Sequence, residues 1–506
     1  MLKLRSLAEL GATAEMLRGR GQSVVLAHGT FDLLHLGHVK HLQAAAKEGD
    51  VLIVTVTADR FVNKGPGRPI FSEHMRAEML SSLECVNYVG ISDAPSSEAV
   101  LQAIRPNVYV KGSDYINSDD DVTGKIVAER KMVEKHGGRI AFTQDITFSS
   151  TSLINRHVDV FDPALREYLE TQRSNGLLNA ATEAVAKVKD LRVLLIGDTI
   201  IDEYQYVAPL GKSPKENMIA TRFEDREMFA GGVIAAANHV AAFCKEVEVL
   251  TAIGGKHDCE DLIRASLKPN VKLWLARREG CPTTRKCRFV ESGYLRKLFE
   301  VYVMDDAPLA GENESALVDM IRQKAAQADL VIVTDFGHGL VTPPVVQALA
   351  TEARFLAINT QTNSANIGFN LVTKYPRADY ICIDGPEARL AVADKHSDLG
   401  LVAGKLLPAK IACDNLIVTA GRQGCVTYNR LDGITRIPAF TKTVVDTVGA
   451  GDAFFVVSAP LVAAGAKVDV AGFVGNVAGA IKVGIVGHRT SLDKGTLLKY
   501  VQTLLK

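Results

Sequence analysis

Short β-branched runs alternate with longer helical stretches along nearly the whole chain, and the alternation runs through twice. In the first third the strand candidates are 23–28, 51–58, 88–92, 108–111 and 140–144, with helical patterns between them, as at 39–47 and 73–83. This rhythm predicts a parallel sheet covered on both faces. It stops between about 156 and 190, where 161–188 keeps helical spacing without a strand and Asn175-Gly176 marks a break. A second series starts at Leu191, with strand candidates 193–196, 247–252, 330–334, 355–358, 380–383 and 415–419. Polar-apolar alternation within 205–222 and 283–303 predicts a small β element beside the second sheet. The fold class expected is α/β, with two doubly wound domains, the second carrying a small β lid.

A chain of 506 residues accommodates two or three domains of roughly 100–200 residues. We place them at 1–158 and 191–506, joined by a helical connector over 159–190. Lys+Arg and Asp+Glu are both 58, so the net charge is zero and nothing points to a nucleic-acid surface. None of the eight cysteines forms a CxxC pair or a zinc-spaced cluster, which predicts free thiols in a reducing compartment. The first residues lack the pattern of a signal peptide, and the uncharged run 453–466 is shorter than the ~18 apolar residues a membrane span needs. A cytoplasmic protein, with no membrane partner, is expected.

The first chemical constellation is His28-Gly-Thr-Phe-Asp-Leu-Leu-His-Leu-Gly-His38, which follows the first strand and runs into a helix. Ligands of open α/β sheets bind at this end of a parallel strand. Gly29 allows close approach of a phosphate, and the helix start offers unpaired amides. His35 and His38, three apart, share one helix face. A lone HxxH would read as helix capping; two imidazoles beside an amide cluster suit a triphosphate attacked at its α-phosphorus.

This string resembles the cytidylyltransferase-type nucleotidyltransferases, including the nucleotidyltransferase half of the bifunctional heptose kinase/ADP-heptose synthases, over about residues 5–158. The resemblance implies that Gly29, Thr30 and Phe31 bind nucleotide, that Asp32 faces substrate, and that His35 and His38 are catalytic. Ala46-Lys47-Glu48-Gly49-Asp50 is similar to a motif whose lysine contacts nucleotide phosphates, which adds Lys47 to the catalytic set. Lys64-Gly65, Arg68-Pro69-Ile70 and Arg76 match further family positions, with Arg76 a phosphate ligand. Val110-Lys111-Gly112-Ser113-Asp114-Tyr115 resembles the VKGxDY segment, which implies phosphate contact by Lys111 and substrate contact by Asp114. Ser149-Ser150-Thr151-Ser152 resembles a late motif that holds the triphosphate through Ser150 and Thr151. The chemistry implied is attack of a sugar 1-phosphate on a nucleoside triphosphate, CTP or ATP, with Mg²⁺ on the phosphates and pyrophosphate released.

The second constellation is Asp446-Thr-Val-Gly-Ala-Gly-Asp452, ahead of an apolar helical segment. Gly449, Ala450 and Gly451 can converge their amides into an anion nest. Asp452 repels anions, so it reads as a base for a hydroxyl that attacks a γ-phosphate; a plain glycine turn with a capping aspartate is the bland alternative. The longer string DTVGAGDAF resembles the signature of ribokinase-like (PfkB-type) sugar kinases, and the resemblance covers about 190–495. It implies sugar contacts by Asp198, Asp202, Gly231, Gly232 and Asn238. Asp384 and Glu387 would help to hold Mg²⁺, and Thr419, Gly421 and Gly424 would line an ATP loop. Family lysines are replaced at His338 and around Asn359-Thr360-Gln361, and the familiar bifunctional enzymes carry the kinase first.

The leading reading is a bifunctional enzyme that phosphorylates a sugar or sugar phosphate and makes a nucleotide-sugar, heptose-like by resemblance. The replaced residues leave open an active nucleotidyltransferase fused to a catalytically weak kinase-like module. A flavin-type kinase/adenylyltransferase would need a β-barrel kinase, which the second α/β series speaks against. The resemblance also implies a homo-oligomer, most simply a dimer. The sugar and the choice between CTP and ATP stay open.

Overall fold

The computed structural model describes residues 3–62, 65, 68–112, 126–143, 161–441 and 443–506. Its contacts divide the chain into two units, Met1–Arg173 with Leu498–Lys506, and Ser174–Leu497.

The first unit is built on a five-stranded parallel sheet: β1 (Val24–Gly29), β2 (Val51–Thr57), β3 (Tyr88–Ser92), β4 (Val108–Gly112) and β5 (Arg139–Thr143), in the order β3-β2-β1-β4-β5. Successive side chains of a strand face opposite sides. Val25 and Ala27 accordingly join one apolar cluster with Leu42, Val54 and Leu80, while Val24 and Leu26 join another with Leu10, Ile53 and Tyr109. Both faces are covered, and each fully buried Val or Leu contributes about 1.5–3 kcal/mol. Helices α1 (Leu7–Gly19), α2 (Leu36–Ala46), α3 (Glu73–Ser81), α4 (Glu98–Ile104) and α5 (Ile126–Lys135) lie between or before the strands. The chain moves outward from β1 in one direction to β2 and β3, then in the other to β4 and β5. The crevice at this reversal opens where β1 meets β4.

Two helices, α6 (Pro163–Ser174) and α7 (Leu177–Lys187), follow. Gly176 separates them with a left-handed backbone, φ 73°, the break that Asn175-Gly176 predicts.

The second unit holds β6 (Arg192–Gly197), β7 (Thr199–Lys212), β8 (Ile219–Gly232), β9 (Glu246–Lys256), β10 (Val271–Pro282), β11 (Arg285–Glu291), β12 (Arg296–Val303), β13 (Leu330–Asp335), β14 (Leu356–Thr360), β15 (Tyr380–Asp384), β16 (Asn415–Thr419), β17 (Cys425–Asn429) and β18 (Gly433–Ile437). Nine form a sheet in the order β10-β9-β6-β13-β14-β15-β16-β17-β18, parallel except for the last two pairings. Four, in the order β12-β11-β7-β8, form the small second sheet expected from the sequence. The helix Ala450–Ala463 is buried from Ala453 to Val462, so the uncharged run is a core helix. Among the described residues no helix is long and apolar enough to cross a membrane.

Candidate active sites

The histidine string leaves β1 at the reversal point of the first sheet. Phe31 turns the chain with φ 49°, a strained value for a bulky side chain. His35 then caps α2, accepting from the His38 main-chain N–H at 3.4 Å. The two imidazoles stack, centroids 4.0 Å apart, and Phe31 meets His38 edge-on at 5.3 Å. Burial holds His35 below the usual histidine range, so it is neutral near pH 7. The paired imidazole group thus stands at the N-terminal start of α2, beside its first amides.

Several residues predicted around this pair have other work. Arg76 is fully buried and binds main chain: Nε donates to Phe71 O at 2.9 Å, and the Nη atoms donate to Thr30 O at 2.5 Å and Thr57 O at 2.8 Å. It also pairs with Asp59 at 2.5 Å. Arg76 is thus a clamp that fixes the loop after Gly29; a phosphate contact was expected there. Asp32 is 2% exposed and accepts from the Ile70 N–H at 2.6 Å and from Arg68 at 3.3 Å. It secures the 68–70 loop, where a substrate contact was expected. Lys111 pairs with Glu129 at 2.9 Å, where a phosphate contact was expected. Lys47 is exposed and forms the C-cap of α2, roughly 16 Å of helix from the histidine end at 1.5 Å per residue. Lys47 thus stands at the opposite end of α2 from the imidazole pair. Lys64, Asp114, Ser150 and Thr151 lie outside the described residues.

In the second unit a cavity of about 310 Å³ opens at the carboxyl ends of the parallel strands. The sequence motifs meet here: Asp202 and Gly232 from one edge, Asp384, Glu387 and Thr419 from another, and Gly449, Gly451 and Asp452 from a third. Gly449 has φ 74°, a conformation that only glycine adopts freely, and it starts the helix Ala450–Ala463. Gly449 and Gly451 line the cavity at this helix start, while the Ala450 N–H donates to Thr447 O at 3.2 Å, so the expected nest is reduced to the two glycines. Burial, with the charge of Asp202, pushes the Asp452 carboxyl up to about 6; His488, Lys482 and Lys286 pull the other way. An acceptor with that value is ionised at neutral pH yet basic enough to take a proton.

Asp202 is buried between Arg288 and the His488 ring, the latter at 3.3 Å. Burial opposes its ionisation, but these two partners hold the carboxyl below its ordinary range. A Cβ at Gly231 would collide with this carboxylate, which explains why that position has no side chain. On β11, Lys286 and Arg288 share a face by alternation, and both line the cavity. Lys286 is 7% exposed, and burial lowers its pKa. These two cations, His488 and Gln361 were not in the predicted set. A charged alternation, Arg285-Lys-Cys-Arg288, inside a strand candidate was the available signal for the first two.

Glu387 and Asp384 form a capping box: Glu387 accepts the Asp384 N–H at 2.9 Å and Asp384 accepts the Glu387 N–H at 2.8 Å. Burial and the neighbouring Asp384 push Glu387 up to about 8. Among the described residues no three metal-ligating side chains cluster. Two acidic groups at the cavity edge nevertheless fit a Mg²⁺ held mostly by phosphates and water, the usual manner for that ion.

Two predicted sugar ligands are placed elsewhere. Asp198 is buried and accepts from the main-chain N–H groups of Phe336 (3.0 Å), His338 (3.3 Å) and Leu340 (3.4 Å). It organises that turn and borders a separate pocket of about 20 Å³. Asn238 bridges Ser266 O and the Lys268 N–H, both at 2.9 Å, and does not line the cavity. Gly421 and Gly424 shape the turn after β16 with φ 53° and 89°; neither lines the cavity.

Comparison with known proteins agrees with this division. A cytidylyltransferase-like family model matches residues 26–156, and that of the pfkB family of carbohydrate kinases matches 190–495. The bifunctional protein HldE of Syntrophotalea carbinolica is 37% identical over 163 residues, 32% of this chain and 32% of its own. That of Geobacter metallireducens is 37% identical over 170 residues, 33% and 32% of the two chains. This chain thus spans about a third of the length of the curated relatives it matches. Phosphofructokinase-2 from Escherichia coli, solved in complex with potassium, superposes with a TM-score of 0.52 at 14% identity, over 62% of this chain and 100% of that one. At that identity it shows the fold alone. With more than half of its residues matched by one family model, the chain belongs to the pfkB family of carbohydrate kinases.

Proposed function

We propose that the chain is a bifunctional transferase that makes a nucleotide-activated sugar, heptose-like in its substrate. Domains 1–158 and 191–506 carry nucleotidyl transfer and sugar phosphorylation respectively, joined through 159–190. The observation that carries the kinase reading is the meeting of Asp452, the glycine nest and Lys286 in one cavity.

In this reading Asp452 takes the proton of a sugar hydroxyl, and the oxygen attacks the γ-phosphorus of ATP. ADP leaves, and the amides at Gly449 and Gly451 hold the charge that builds on the phosphoryl oxygens. Lys286 is the cation available to phosphate, since Arg288 already pairs with Asp202. Asp384 and Glu387 would hold Mg²⁺, which neutralises phosphate charge when bound. In the transferase half, His35 and His38 with the α2 amides would hold the α-phosphate of CTP or ATP during attack by a sugar 1-phosphate. That nucleophile is already ionised, so positioning matters more than a base. The substrates are small phosphorylated sugars and nucleotides, and a homodimer in the cytoplasm is the simplest setting.

The test is pyrophosphate release with each nucleoside triphosphate across a panel of sugar 1-phosphates, together with ATP-dependent phosphorylation of the matching free sugars and sugar phosphates. Turnover in both assays on heptose substrates is expected. Transferase turnover only on other phosphorylated alcohols would remove the heptose assignment, and no phosphotransfer from ATP would remove the kinase.

A further inference from the structure

Lys482 is the last residue of the helix Val468–Lys482 and is 0% exposed. Its ammonium donates to two main-chain carbonyl oxygens, Val448 O and Gly487 O, each at 2.7 Å. Burying an ammonium is costly unless the site compensates for it. Burial lowers the pKa of Lys482, and the charges of Asp446, Asp452 and Asp202 act against that from a distance. A compact cation held by backbone carbonyls is the chemistry of a monovalent-ion site.

Its place explains what it does. Val448 directly precedes Gly449 of the nest. In a planar trans peptide the C=O and the following N–H point in opposite directions. Holding Val448 O on the ammonium therefore turns the Gly449 N–H away from Lys482. The preceding peptide and the partner segment are fixed as well: Asp446 accepts the Val448 N–H at 3.1 Å and the Gly487 N–H at 2.8 Å. The Val445 and Asp446 N–H groups both donate to Val483 O, at 2.8 and 3.0 Å. Lys482 thus ties the segment before the nest to the segment carrying His488.

We propose that Lys482 is a tethered monovalent cation: its ammonium orients and polarises the phosphate-binding nest, so that the kinase half needs no potassium or ammonium ion from solution. Lys482 is a positioning residue here, and the inference rests on the kinase reading of the cavity.

The experiment is calorimetric binding of MgADP to the intact chain, in potassium chloride, ammonium chloride or tetramethylammonium chloride at equal ionic strength. Binding to the transferase half is common to all variants and is fitted as a separate class of sites. Wild-type affinity should change by less than about twofold between salts. Lys482→Ala should bind about tenfold more weakly in tetramethylammonium, as expected for loss of a charge-assisted contact, and recover in potassium or ammonium. Lys482→Met, which fills the space with an apolar chain, should be weak in every salt. A wild-type protein that itself requires potassium would overturn the inference, and that measurement stands even if Lys482→Ala fails to fold. A Lys482→Ala protein that folds but shows no salt-selective recovery would also overturn it. Absence of a MgADP site attributable to the second unit, in any salt, would instead overturn the kinase reading and this inference with it.

Discussion

The side-chain amide of Gln361 donates a hydrogen bond to the carboxylate of Asp452. Gln361 is itself fixed, its N–H bound to Asp335 O at 2.8 Å and its carbonyl accepting from Asn370 at 3.2 Å. A donor on a carboxylate favours the ionised form. Gln361→Ala should therefore move the acid limb of the kinase pH–rate profile upward from about 6, by about half a pH unit to one unit. The rate should fall more at pH 6.5 than at pH 8.5. An acid limb that does not move would show that the contact has no bearing on the base.

Asp452→Asn should reduce phosphotransfer by about 10²–10⁴-fold, the usual contribution of a positioned base. It should also stabilise the fold. The folded carboxyl lies near 6 against an ordinary 3.8, so its protonated form is favoured in the native state. That contribution is complete below pH 3.8 and is lost as pH rises through 6. Asparagine removes the penalty at high pH, worth about 1 kcal/mol after discounting for screening in the open cavity. A melting temperature about 2–4 °C higher at pH 8, with the gain vanishing toward pH 4, is expected. Equal melting curves at pH 8 would mean that the carboxylate is not destabilised by its surroundings.

The motifs that meet in the cavity were legible because each is local. A glycine-rich turn ahead of an apolar helical run places a helix start whatever the rest of the chain does, as at 446–452. Alternation within 283–303 likewise gave the small sheet, and Asn175-Gly176 gave the break between α6 and α7. What the sequence does not show is non-local. Asp198 follows its strand as expected, but its lone pairs go to amides 138 to 142 residues away. Arg76 matches a phosphate-ligand position in the sequence, and its hold on Thr30 O, 46 residues off, shows only in the structure. Lys47 is a simpler case: the family motif is matched, but helix α2 stands between that lysine and the histidines. The β17–β18 hairpin escaped notice because its strands, Cys425–Asn429 and Gly433–Ile437, are short and interleaved with turn residues.

His38→Ala should abolish most nucleotidyl transfer, by about 10²–10³-fold, the range for removing one oxyanion donor. ATP-dependent phosphorylation by the other half should stay within about twofold. The check is to run both assays on one preparation. A parallel fall in both would mean that the substitution disturbs more than the α2 crevice.

Lys47 and Arg76 give opposite expectations, and the pair separates the structural reading from the motif reading. Lys47→Ala truncates an exposed C-cap, so transferase rate and stability should change little, within about 0.5 kcal/mol. Arg76→Ala leaves Thr30 O, Thr57 O and Phe71 O without their donor and Asp59 without its partner. Removing one side of such a buried charged network costs about 3–5 kcal/mol, so the first unit should lose stability before any nucleotide is added. Thermal melts followed by transferase kinetics decide the matter. A folded, fully stable Arg76→Ala protein with only a raised KM for the nucleotide would restore Arg76 as a phosphate ligand.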